Sequence, residues 1–131
     1  MSKIVGMNCI VTAGPTFEPL DEVRRLTNFS TGRLGTELAN FLTARGHNVT
    51  LLVGDSATYR GDRKVRSVKT FSTTADLRAK LKSFSGKKVD ALFHAAAVSD
   101  FAFGTIFAEK RAGPFATQKS VEQSTICFLA E

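Results

Sequence analysis

Short apolar runs alternate with stretches of helical periodicity along most of this chain. Residues 8–13 and 48–53 are rich in β-branched side chains and stop at Gly14-Pro15 and Gly54-Asp55, which predicts two buried strands. Residues 65–71 and 89–94 predict a third and a fourth strand, the last of which runs into a turn of small residues.

Two helices are predicted between these strands. Over residues 31–45 the apolar side chains fall at helical spacing, with Ser30 or Thr31 placed to cap the start and Gly46 placed to end the last turn. Thr73 and Asp76 form a capping box for the second helix. The side chains predicted to face the core are Leu34, Leu38, Phe41 and Leu42 in the first helix and Leu77, Leu81 and Phe84 in the second.

This order of elements predicts an α/β fold, a doubly wound, Rossmann-like parallel sheet with helices on both faces. Right-handed crossovers then place Gly14 and residues 95–100 together, at the carboxyl ends of the first and fourth strands. Ligands of such sheets bind at that edge, so we expect the site there. The segment 15–30 is predicted to be a polar connection, and beyond Gly104 only residues 124–129 suggest a further strand.

The composition is that of a folded globular protein, with 43% apolar and 23% charged residues in 131. We expect one domain over residues 1–131. No apolar run approaches the roughly 20 residues of a membrane span, and no signal peptide is evident, which predicts a cytoplasmic protein without membrane contact. Cys9 and Cys127 form no CxxC pair, so buried thiols are expected rather than a disulfide or a zinc site.

The net charge of +6 is compatible with nucleic acid or with a small polyanionic ligand as partner. The basic residues are scattered, and no aromatic-rich basic ribbon accompanies them. We therefore expect a solvated basic surface for most of them and no nucleic acid binding.

Two glycine-containing turns lie where a ligand is expected, T-A-G-P-T at 12–16 and S-T-G-R-L-G at 30–35. A helix N-terminus with glycines at positions 32 and 35 favours phosphate binding, although a tight turn and close helix packing explain a lone GxxG more simply. No G-x-G-x-x-G hexapeptide is present, and Tyr59 is followed four positions later by Arg63 instead of lysine. An NAD(P)-dependent reductase is thus a minor alternative.

A motif that includes both glycine-containing turns is more specific than either turn alone. Residues 11–54 read VTAGPTFEPLDEVRRLTNFSTGRLGTELANFLTARGHNVTLLVG. They closely resemble the opening motif of the phosphopantothenoylcysteine synthetase family, V-T-A-G-(P/G)-T-x-E-P-(I/L)-D-x-V-R-x-(I/L)-(S/T)-N-x-S-(S/T)-G-(K/R)-x-G. Residues 95–101, AAAVSDF, resemble that family's A-A-A-V-(A/S)-D-(F/W/Y) turn. The resemblance covers about residues 8–111, whereas residues 112–131 diverge from the pattern.

The resemblance implies a ligase of coenzyme A biosynthesis that joins 4′-phosphopantothenate to L-cysteine. In the family, CTP or ATP activates the carboxylate as an acyl-nucleotide, and cysteine displaces the nucleoside monophosphate. It implies Mg²⁺ with the nucleotide, and a homodimer in which residues around the motif asparagine complete the neighbour's site. The FMN-dependent decarboxylase domain often fused in bacterial members has no counterpart in this sequence, so no FMN is expected.

Position by position, the resemblance also implies roles for individual residues. Asn28 matches the motif asparagine that contacts the activated acyl group, where an amide stabilises a developing oxyanion without titrating. Arg24 matches the motif arginine and suits a substrate phosphate or carboxylate. Lys110 falls on the first lysine of the family's K-x-K-K cluster, which implies a catalytic and nucleotide-binding role. The residues implied to bind nucleotide are Gly14, Pro15, Thr16, Ser30, Thr31, Gly32, Arg33, Gly35, Ala95, Ala96, Ala97, Asp100 and Lys110.

Plainer interpretations stay open for several of these residues. Asn28 is also explained as a turn residue, and Arg24 and Lys110 as surface cations. Asp100 suits either a ribose hydroxyl or a Mg²⁺-bound phosphate, and no protein metal site is predicted. Because the second half of the basic cluster and the family's later motifs have no counterpart here, an inactive or truncated nucleotide-binding relative is the alternative function.

Overall fold

The computed structural model describes residues 6–104 and 128–130. The elements in chain order are β1 (Asn8–Ala13), β2 (Phe17–Pro19), β3 (Arg25–Thr27), α1 (Arg33–Ala44), β4 (Asn48–Gly54), β5 (Ser67–Phe71), α2 (Thr74–Lys82), β6 (Ala91–His94), β7 (Phe101–Phe103) and β8 (Phe128–Ala130). The described chain separates into two compact units, Met1–Ser99 and Asp100–Glu131.

The first unit is built on a four-stranded parallel sheet with the order β5-β4-β1-β6. Cys9 of β1 lies opposite Val49 on one side and Ala91 on the other. The chain moves outward from β1 through β4 to β5 and then returns to the far side of β1. The predicted fold class is confirmed, and the change of direction places a topological switch point between β1 and β6.

Alternation along β1 divides the core into two layers. Cys9 and Val11 face α1 together with Ala39 and Leu42, whereas Ile10 belongs to the layer of α2. In that second layer Leu52, Phe71 and Leu77 are all at most 2% exposed. The helices therefore cover opposite faces of the sheet, as predicted.

The predicted inward face of α1 is wrong for two of its four residues, because Leu34 is 74% exposed and Phe41 is 53% exposed. The buried side of the helix carries three small residues, Gly35, Thr36 and Ala39, together with the predicted Leu42. A Cβ at Gly35 would lie 2.5 Å from the Cβ of Ala13 and 2.7 Å from the carbonyl oxygen of Thr12. The helix thus approaches β1 so closely that only a residue without a side chain fits, and this contact sets its rotation.

The two helix starts differ. The predicted capping of α1 by Ser30 or Thr31 is wrong, since its N-cap is Gly32, in the left-handed conformation with φ 82° and without a side-chain cap. In α2 the predicted N-cap is confirmed, because the Thr73 hydroxyl accepts from the backbone N–H of Asp76 at 3.1 Å. The other half of the predicted box differs, since the Asp76 carboxylate accepts from the N–H of Ser72 at 2.9 Å. Lys80, 2.7 Å from the Asp76 carboxylate, is the main cause of a lowered pKa for Asp76.

A hairpin occupies the segment predicted to be a polar connection. β2 pairs antiparallel with β3, with Phe17 opposite Thr27 and Pro19 opposite Arg25. Each of its strands has only three residues, which is too short for an alternating pattern to stand out in the sequence.

In the second unit, β7 pairs antiparallel with β8, and Phe101 lies opposite Ala130. Part of the predicted last strand is thereby found, although residues 124–127 lie outside the described residues.

Cys9 is buried as predicted. Its burial, and to a smaller extent the charge of Asp90, raises the pKa of the Cys9 thiol. Cys127 lies outside the described residues. Among the helices that the structure describes, none has the length and apolarity that crossing a bilayer requires.

Candidate functional site

The turns that follow β1 and β6 join each other at the switch point. Pro15 and Ala97 form a parallel bridge just beyond the two strands. The N–H of Ala97 donates to the carbonyl of Gly14 at 2.9 Å, and the N–H of Thr16 donates to the carbonyl of Ala97 at 3.1 Å. The prediction that these two turns meet at one edge of the sheet is confirmed.

Gly14 of the turn after β1 and Gly32 at the start of α1 are packed against each other and against a third loop. A Cβ at Gly32 would lie 3.1 Å from the Cβ of Ala57 and 3.4 Å from the Cα of Gly14. A Cβ at Gly54 would collide with the carbonyl oxygen of Pro15. Gly54 and Ala57, at the exit of β4, therefore belong to the same edge, although their sequence showed only the end of a strand.

This packing brings the start of α1 to the end of β1. The first helical hydrogen bond runs from the N–H of Thr36 to the carbonyl of Gly32 at 3.1 Å. The first turn holds no acidic side chain, and the side-chain contact to its backbone N–H groups is a long one, 3.3 Å from the N–H of Arg33 to the Thr31 hydroxyl. Such a helix start has backbone donors and a partial positive charge for an anionic group.

Asn28 connects the hairpin to the β6 turn through both ends of its amide. Its Nδ2 donates to the carbonyl of Ala97 at 3.0 Å, and its Oδ1 accepts from the N–H of Ser30 at 3.0 Å. The side chain is half-buried. One N–H of Nδ2 and one lone pair of Oδ1 are left for a ligand.

Thr16 is a structural part of this edge. Its side chain is fully buried, and its hydroxyl lies 3.1 Å from the hydroxyls of Thr74 and Ser99 and accepts from the N–H of Ser99 at 2.9 Å. Its carbonyl accepts from the hydroxyl of Thr27 at 2.9 Å. These bonds tie the hairpin, the start of α2 and the β6 turn together.

His94 is a residue at this edge that the sequence patterns did not single out. Its Nδ1 lies 2.7 Å from the hydroxyl of Thr12, which also accepts from the N–H of Ala96 at 3.1 Å. The imidazole is exposed at the last residue of β6. In the sequence, only the position of His94 immediately before a turn of small residues indicated that it could lie at this edge.

The remaining predicted residues lie elsewhere. Arg24 is at the tip of the hairpin, paired with Asp21 at 2.7 Å. Arg33 pairs with Glu37 at 3.0 Å, which raises the pKa of Arg33, and its guanidinium lies 5.9 Å from the Tyr59 ring centroid. Asp100 is exposed at the start of the second unit, and Lys110 lies outside the described residues. Within the described residues, no three histidine, cysteine or acidic side chains are grouped to hold a metal ion.

The sequence profile of the DNA/pantothenate metabolism flavoprotein C-terminal domain matches residues 4–124. The chain belongs to this family. The match continues past residue 111, where the resemblance to the synthetase pattern was predicted to end. Family membership thus extends over residues that the two motifs alone did not reach.

Relatives within the family are longer. The chain is 40% identical over 98 residues to the coenzyme A biosynthesis bifunctional protein CoaBC of Mycolicibacterium smegmatis, covering 75% of this chain and 23% of that protein. It superposes on the C-terminal domain of a CoaBC protein with a TM-score of 0.66 and 30% identity, over 76% of this chain and 50% of that one. It also has the fold of the DNA/pantothenate metabolism flavoprotein of Streptococcus pneumoniae, with a TM-score of 0.76 and 24% identity over 96% of this chain and 61% of the other.

Proposed function

We propose that this chain provides the nucleotide-binding part of a phosphopantothenate–cysteine ligase of coenzyme A biosynthesis, acting in the cytoplasm. The observation that carries the proposal is the meeting of Asn28 with the carbonyl of Ala97 at the switch point of a domain of this family. CTP or ATP is the proposed co-substrate. Mg²⁺ enters with the nucleotide phosphates, since this ion keeps several waters and needs few protein carboxylates.

The reaction assigned to this edge has two steps. The carboxylate of 4′-phosphopantothenate attacks the α-phosphate of the nucleotide, forming an acyl-nucleotide and releasing pyrophosphate. The amine of cysteine then attacks the acyl carbon, an amide forms, and the nucleoside monophosphate leaves. The open first turn of α1 is proposed to bind phosphate, and the free N–H of Asn28 to donate to the oxyanion that develops at the acyl carbon.

Calorimetric titration and a turnover assay test this proposal. We expect CTP or ATP to bind and NADPH to fail, and we expect pyrophosphate release to require 4′-phosphopantothenate and amide formation to require cysteine. Nucleotide binding without turnover would favour the inactive relative, whereas binding of NADPH alone would favour the reductase. Failure of all three nucleotides to bind would show that the proposed site is wrong.

A homodimer is proposed from large apolar side chains that are exposed in the segment on either side of Asn28 in the sequence. Val23 is 89% exposed, Leu34 is 74% exposed, and the ring of Phe29, next to Asn28, is fully exposed. Large apolar side chains that are exposed within one short segment are the kind that a subunit contact covers. A second copy that covers them would bring a neighbouring subunit to the Asn28 region.

We expect Phe29→Ser to shift the protein from dimer to monomer in sedimentation equilibrium, because it removes the most exposed apolar side chain of this region. Val68→Ser is the matched control. Val68 is 40% exposed on β5, at the opposite edge of the sheet from β6. A wild-type monomer, or equal dissociation of both variants, would contradict the proposed surface.

A further inference from the structure

Asp21 organises the tip of the hairpin through both of its carboxylate oxygens. Oδ1 accepts from the backbone N–H of Val23 at 2.9 Å and from that of Arg24 at 2.7 Å. Oδ2 accepts from Nε of Arg24 at 2.7 Å and lies 2.7 Å from Nη2 of the same guanidinium. One side chain therefore shapes the turn and orients an arginine.

The geometry of this pair leaves part of Arg24 free. A guanidinium has five N–H donors, of which Asp21 occupies Nε–H and one on Nη2. Both donors of Nη1 and the second of Nη2 remain along the outer edge, the arrangement that binds a phosphate or carboxylate with two hydrogen bonds. The Arg24 side chain is 67% exposed, so that edge is accessible.

The base of the hairpin is anchored to the segment that connects β5 to α2. The N–H of Phe17 donates to the carbonyl of Ser72 at 3.1 Å, and Glu18 accepts from the N–H of Thr74 at 3.2 Å. The neighbouring Arg25 does not share the position of Arg24, because its guanidinium lies over the Phe17 ring at 4.5 Å. Because the base of the hairpin is held in place, the orientation of the Arg24 guanidinium at its tip depends on Asp21.

We propose that Asp21 is a positioning residue that aims the free edge of Arg24 at an oxyanion of the pantothenate substrate. The inference rests on the proposed function, because it takes the substrate from there. The ligand chemistry is the oxyanion, which is either the phosphate or the carboxylate of 4′-phosphopantothenate. Asp21 itself touches no reacting atom.

The test compares Asp21→Asn, Arg24→Gln and the double variant in the ligase assay. Asparagine keeps an Oδ1 that accepts from the two backbone N–H groups, so the turn is retained. It lacks the negative charge that holds the guanidinium, so Arg24 is no longer oriented. We expect Asp21→Asn to raise KM for 4′-phosphopantothenate about tenfold, the scale of one hydrogen bond to a charged group, with little change in kcat. Glu22→Gln is the matched control, since Glu22 is exposed and its loss removes the same charge one residue away.

The KM of the double variant shows whether Asp21 acts through Arg24 or has a separate effect of its own. If Asp21 acts through Arg24, the double variant has the same KM as Arg24→Gln alone. A double variant with multiplied effects, or an Asp21→Asn enzyme with unchanged KM, overturns the inference. Thermal unfolding of each variant checks the fold, and Arg24→Lys, which keeps the charge but loses the fork, gives the same KM increase if orientation matters.

Two further readouts separate the outcomes. Inhibition by 4′-phosphopantetheine, which keeps the phosphate but has an amide in place of the carboxylate, weakens in Asp21→Asn if Arg24 binds phosphate and is unchanged if it binds carboxylate. Normal KM in Arg24→Gln overturns the positioning role while leaving the ligase intact. A wild-type chain without turnover or 4′-phosphopantothenate binding instead contradicts the proposed function itself.

Discussion

Replacing Asn28 with alanine is expected to lower amide formation about 100-fold, the usual loss when one donor to a developing oxyanion is removed. The variant also loses the hydrogen bonds to Ala97 and Ser30, each 3.0 Å long, that join the hairpin to the β6 turn. Nucleotide binding should change much less, because the first turn of α1 is untouched. Single-turnover assays with the acyl-nucleotide formed in place measure the two steps separately.

A control for the loss of the amide is available elsewhere in the domain. Nδ2 of Asn40 donates to the carbonyl of Asp62 at 2.7 Å, and its Oδ1 accepts from the N–H of Lys64 at 2.8 Å. Asn40→Ala therefore removes the same kind of bridge between backbone segments, in the loop that follows β4. Equal losses of turnover in both variants would mean that Asn28 only supports the fold, and normal turnover in Asn28→Ala would remove it from the catalytic assignment.

Gly35→Val is expected to reduce the free energy of unfolding by about 3 kcal/mol, the upper part of the usual range for overpacking. The first added carbon would lie 2.5 Å from the Cβ of Ala13 and 2.7 Å from the carbonyl oxygen of Thr12. The helix has to move away from β1 to accept it, and the start of α1 moves with it. Urea denaturation measures the loss, and calorimetry should also show weaker nucleotide binding.

Ala44→Val introduces the same side chain into the same helix at an exposed position and is the matched control. It should cost only about 0.5 kcal/mol, since only helix propensity changes. Comparable stability of the two variants would contradict the close contact between α1 and β1. If Gly35→Val is destabilised but binds nucleotide normally, the packing of this glycine stabilises the fold and is not needed for phosphate binding.

The roles of Gly32 and Gly35 could not be decided from the sequence alone. Two interpretations of Gly32 and Gly35 were open, and the distances of their hypothetical Cβ atoms show that both are packed against neighbouring backbone or side chains. Close packing does not exclude phosphate binding, because it is what brings the first turn of α1 to the end of β1. Whether phosphate binds there stays a prediction until titration tests it.

The sequence by itself determined the order of the two helices and of the four strands of the parallel sheet, the meeting of Gly14 with the 95–97 turn, and the family. Periodic apolar residues and turn residues are local signals, and parallel strands connected by right-handed crossovers leave few possible arrangements. Only the tertiary structure decided which side of α1 is buried, because that depends on the fit of Gly35 against Ala13 rather than on hydrophobicity alone. It also decided the pairing of Asn28 with Ala97 and of His94 with Thr12, residues that are 69 and 82 positions apart in the chain and leave no local pattern.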